Sequence, residues 1–83
     1  MRKRSRLQIM DDILKAIRTG ETRPTRIMYR ANLSWNPLRK LLKEMLKNGL
    51  IEAAQGNPHE HYSITPKGLR FLSAYRELEE TSE

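Results

Sequence analysis

The sequence predicts a mainly helical α+β domain, and two observations predict it. Apolar residues recur at three-and-four spacing over residues 6–19, 34–48 and 66–80, the period of helices with one buried face. Between the last two, Leu50–Gln55 and His59–Ile64 look like short strands around the turn cluster Gly56-Asn57-Pro58. With 83 residues, 37% hydrophobic and 31% charged, there is room for one domain with a thin core, which a partner chain would help. The chain has no cysteine, which excludes disulfide scaffolds, thiolate zinc sites and cysteine nucleophiles. No apolar run approaches the roughly 18 residues of a membrane span. The start, MRKRSR, has the charge of a secretory leader, but Asp11 and Asp12 interrupt the apolar stretch that should follow. A cytoplasmic protein is expected.

Residues 1–5 read as a flexible basic arm, 6–80 as one domain, and 81–83 as the end of an acidic tail. Ser5 is an N-cap for a helix to about Thr19, with Gly20 fitting the position just past its end. Leu7, Ile9, Met10, Ile13, Leu14, Ala16 and Ile17 share its inner face; Asp11, Asp12, Lys15 and Arg18 fall opposite. Pro24 disfavours helix at Arg23 and suits a helix start, so a short second helix runs from about Thr25 to Ala31. Asn32 tolerates the left-handed conformation that ends a helix. Ser34 then caps a third helix, which Gly49 stops. Its inner side is Trp35, Leu38, Leu41, Leu42, Met45 and Leu46; its outer side is Asn36, Arg39, Lys40, Lys43 and Lys47, with Glu44 as its one acid. Thr65 caps the last helix with Pro66 at its first position, and Gly68, Phe71, Tyr75 and Leu78 fall at a/d spacing with Leu69 and Leu72 beside them.

Helix, short helix, turn, basic helix, hairpin is the order of a winged helix-turn-helix, in which the third helix lies in the DNA major groove. All sixteen lysines and arginines precede Glu77, against six of the ten acids, so residues 1–76 carry +10 and favour a polyanion. Residues in the first turns reach base edges most easily. Asn36 with adenine, and Arg39 or Lys40 with guanine, are the expected readers. Lys43 and Lys47 suit phosphate, as do Arg23, Arg26 and Arg30 around the second helix. Tyr29 could reach a phosphate through its hydroxyl, whereas Trp35 belongs to the core by its position. Arg2, Lys3, Arg4 and Arg6 form an arm for phosphates or the minor groove, or simply a basic start.

The hairpin, residues 50–64, has no lysine or arginine and carries Glu52 and Glu60. His59 and His61 share a strand face without a third ligand at matching spacing, so no metal is expected, though their protonation near pH 6 would add charge to the wing. No phosphate loop or nucleophile–base pair appears, and neither enzymatic activity nor a cofactor is expected.

TRIMYRANLSW (25–35) and YSITPKGLRFL (62–72) resemble small archaeal winged-helix DNA-binding proteins, of the ten-kilodalton nucleoid-associated type and related predicted transcriptional regulators. The likeness covers about residues 6–76. It implies double-stranded DNA as partner, association with the nucleoid, no catalysis, and a binding surface that includes Arg26, Tyr29 and Arg30. It also implies a homodimer through the last helix, whose candidate contacts are Phe71, Leu72, Tyr75 and Leu78. Only about two heptads precede the acidic tail, so a long coiled coil is not available. The rival reading is a winged-helix module that docks on protein; RNA is disfavoured for want of an aromatic platform.

Overall fold

The computed structural model describes residues 3–56 and 60–81; Arg2, the Asn57-Pro58 turn, His59 and residues 82–83 lie outside them. Six elements follow in order: α1 (Arg6–Arg18), α2 (Pro24–Ala31), α3 (Trp35–Lys47), β1 (Ile51–Ala54), β2 (His61–Ile64) and α4 (Pro66–Thr81). This is the expected mainly helical α+β order.

The caps explain the boundaries. Ser5 Oγ accepts from the Gln8 N–H while Gln8 Oε1 accepts from the Ser5 N–H, a reciprocal box that satisfies two otherwise orphaned donors. All three leading helices end on a residue at positive φ: Gly20, Asn32 and Gly49. At the end of α3, the Gly49 N–H donates to Leu46 O and the Leu50 N–H to Met45 O, so the reversal satisfies carbonyls the helix would leave bare. Asn32, at φ 55° and ψ 55°, makes the same reversal between α2 and α3. Ser34 sits at the start of α3 with extended backbone, but its hydroxyl makes no capping bond. Thr65 Oγ1 accepts from the Gly68 N–H and donates to Gly49 O, tying the start of α4 to the end of α3.

β1 and β2 pair antiparallel, Ile51 opposite Ile64 and Ala54 opposite His61. The ladder is shorter than the sequence suggests, because Leu50 is spent on closing α3. β2 gains another partner: the Tyr62 N–H donates to Thr22 O, which fastens the hairpin to the α1–α2 connector. The core gathers Ile13, Leu14, Ile27, Leu38, Met45 and Ile51, with Leu72 sealing it from α4. Gly68 makes that seal possible: a Cβ there would lie 2.2 Å from Leu50 O and 2.7 Å from Ile64 Cγ1. Two residues depart from the helical pattern. Asp11, expected outside, is only 4% exposed because α4 packs over α1, and its carboxylate pairs with Lys15 Nζ at 2.8 Å. Leu7, expected inside, is exposed.

Candidate nucleic-acid interface

α3 sets its leucines and Met45 inward, which turns Asn36, Arg39, Lys40, Lys43 and Lys47 outward; all five are exposed. Asn36, Arg39, Lys40 and Lys43 line one shallow depression, so four of the five expected side chains form a single surface. Lys47 lies at the end of the helix, outside that depression. Glu44, the one acid of α3, forms an ion pair with Arg6 of α1, so its charge does not oppose the cations.

Arg23, just before α2, and Arg26, Tyr29 and Arg30 on it are all exposed but do not form one cluster. Tyr29 is 81% exposed, which leaves both ring and hydroxyl in solvent. Arg26 Nε lies 3.3 Å from Glu21 Oε1, a surface pair that competes weakly with another anion. Arg30 borders a separate hollow beside Lys15 and Arg18 of α1. Arg23, with Pro24 and Thr25, faces Trp35 and Glu60. Trp35 itself is 46% exposed, against the expectation of a core residue. It stands at the first residue of α3, where the packing that covers Leu38 and Leu42 does not close over it.

Arg4, expected on a flexible arm or a basic start, is instead held by the fold. Its guanidinium donates to Asp12 Oδ2 at 2.8 Å, Ala31 O at 2.6 Å and Asn32 O at 2.7 Å. It therefore braces the reversal between α2 and α3 instead of standing free on an arm. Arg6 braces α3 through Glu44. The signal was present in outline: the αL turn at Asn32 leaves carbonyls that need donors.

On the wing, Glu52, Ala53, Ala54 and Glu60 are exposed, while His61 Nδ1 lies 3.2 Å from Thr22 Oγ1. Burial, with help from Glu60, raises the Tyr62 hydroxyl above its ordinary pKa of 10.0. The hydrogen bond to Asp11 raises Lys15. Among the described residues no three His, Asp or Glu side chains gather as a metal site, and no helix is long and apolar enough to cross a membrane.

Residues 3–83 match the family model described as winged helix-turn-helix. The chain belongs to the winged helix-turn-helix family. It is 37% identical over 76 residues to an uncharacterized protein of Methanocaldococcus jannaschii, covering 92% of this chain but 34% of that one, so it spans about a third of that relative's length. The crystal structure of Sso10a-2, a DNA-binding protein from Sulfolobus solfataricus, superposes with a TM-score of 0.82 at 28% identity, over 93% of this chain and 80% of that one. A MarR family transcription regulator superposes with a TM-score of 0.76 over 87% of this chain and 50% of that one; at 21% identity it bears on the fold alone. These matches agree with the archaeal winged-helix likeness read in residues 25–35 and 62–72.

As a winged helix-turn-helix, the chain has one further element, α4, and the structure corrects its proposed dimer surface. Leu72 is 6% exposed and faces the protein's own core, since the glycine beneath it at 68 brings α4 hard against Leu50. It is not free to meet a partner. Phe71 and Tyr75 stack with ring centroids 6.3 Å apart and planes 2° from parallel, both half-buried, and Leu78 is 62% exposed.

Proposed function

We propose that the chain is a DNA-binding regulator that lays α3 in the major groove of double-stranded DNA and acts by binding, without catalysis. The observation that carries this is the outer side of α3: Asn36, Arg39, Lys40 and Lys43 share one open surface, and the only acid on the helix is already paired. The DNA-binding description of Sso10a-2 supports it. Asn36, Arg39 and Lys40 read base edges; Lys43, Lys47, Arg23 before α2 and the exposed α2 residues Arg26, Tyr29 and Arg30 position the backbone. The protein works as a homodimer through Phe71, Tyr75 and Leu78 of α4, with the cell's DNA, nucleoid-associated or operator-bound. Selection of bound duplexes from a random pool, with the mass of the complex measured, tests this reading. A palindromic consensus with two chains bound supports a dimeric regulator, and retention without consensus supports an architectural role.

The second reading is a winged-helix module that docks on protein. Glu77, Glu79 and Glu80 at the end of α4 and the cation-free wing favour it. A mobility shift at about 100 mM salt separates the two, because non-specific DNA binders still show affinities of order micromolar to 100 micromolar there. No shift at about 500 micromolar protein refutes the DNA reading.

A further inference from the structure

Trp35 is the only tryptophan of the chain, and about half of it remains in water. Indole is the largest apolar side chain, and an exposed one forgoes stabilisation that full burial would give the fold. Its surroundings distinguish it from an isolated surface apolar residue. One hollow beside it runs between α3 and the wing, past Arg39, Lys43, Leu46 and Tyr62. A second reaches the start of α2 at Arg23 and Pro24 and is lined by Glu60 as well. Arg39 and Lys43 also line the depression that holds Asn36, so the indole is continuous with the proposed reading surface.

We propose that Trp35 is a further specificity residue: its exposed ring packs on the C5 methyl of thymine, beside an adenine read by Asn36, so that the first turn of α3 selects A·T pairs. The inference rests on α3 being the major-groove element. In that docking the N-terminal residues of the recognition helix meet base edges, and Trp35 and Asn36 are the first two residues of α3. The thymine methyl is the one apolar group that base pairs present in the major groove. Charge sorts the alternatives. Arg23 and Lys43 line the hollows beside the ring and suit phosphates, Arg39 suits a base edge, and the Glu60 carboxylate turns a phosphate away from the ring itself. A neutral, apolar group is what remains for the indole to meet.

The experiment compares the full chain and Trp35→Ala on an A·T-rich duplex of about 20 base pairs and on the same duplex with every thymine replaced by uracil, which removes only the methyls. Circular dichroism first establishes that the half-exposed position tolerates alanine; Trp35→Phe takes its place otherwise, with a reduced thymine preference expected. The unaltered chain should bind the uracil duplex about fourfold more weakly per contacted methyl, and Trp35→Ala should bind both duplexes alike. Equal affinity of the unaltered chain for the two duplexes, or an equal loss in both proteins, overturns the proposal while leaving DNA binding intact. Absence of binding to either duplex overturns the DNA reading and this inference with it. Acrylamide quenching gives an independent readout: emission from the sole tryptophan should become shielded on saturation with the thymine duplex, and unchanged quenching contradicts the contact.

Discussion

α3 and α4 are built alike and exposed differently. Each buries a stripe against the same core, Leu38, Leu42 and Met45 from one and Leu72 from the other. What α3 leaves outside is Trp35 and Pro37 with an asparagine and four cations; what α4 leaves is Leu69, Leu78, part of a stacked aromatic pair, and Lys67, Arg70 and Arg76 alongside Glu77, Glu79 and Glu80. Hydropathy periodicity is satisfied by either helix, so it speaks only to the inner face. The chemistry of the outer face chooses the partner: fixed positive charge suits a polyanion at long range, whereas apolar rings gain only on contact with a surface of matching shape.

The sharpest way to break the contrast is at the root of α4. Gly68→Ala forces a methyl into Leu50 O and should destabilise the fold by about 3 kcal/mol, and Leu72→Ala by about 2–5 kcal/mol, while Leu78→Ala should change it by under about 0.5 kcal/mol. Denaturant melts of the three variants check this, and an equal loss from Leu72 and Leu78 would deny that α4 has two unlike sides. Next in size, Arg4→Ala should cost about 1–3 kcal/mol by releasing the carbonyls of Ala31 and Asn32 and the Asp12 carboxylate. It should also weaken DNA binding at low temperature, where the variant is still folded, because the turn that aims α3 is loosened. On the α3 side, replacing Lys43 and Lys47 together with alanine should lower the salt dependence of DNA affinity by about two in the log–log slope and leave sequence preference unchanged. Titrating affinity against salt measures it. The smallest effect is on pH. Tyr62 and Lys15 both have raised values in the folded chain, so folding retains protons that the unfolded chain gives up. Their contribution is complete below about pH 10 and is lost as pH rises through the raised values. Tyr62→Phe should flatten the alkaline limb of the stability profile; Lys15, half-exposed, contributes less.

Much of this was readable residue by residue. The helix ends followed from Ser5, Gly20, Asn32, Gly49 and Thr65, since capping and positive φ are local matters that a few neighbours decide. The outward stripe of α3 followed from its period. Asp11, Leu72, Trp35 and Arg4 did not follow. Each lies near the border of a helical stripe or outside one, where spacing alone does not say whether another element covers it. Arg4 illustrates the limit best, because its acceptors lie 8, 27 and 28 residues away and exist only after α1 and α2 have met.

The order of elements, the helix boundaries and the charge of α3 were thus properties of the chain itself, because propensity, capping and periodicity act over a handful of neighbouring residues. Which side of α4 is core, which arginines are struts and how much of Trp35 meets water were decided by distant segments packing together. Burial is a property of the assembled neighbours, and no single segment carries it.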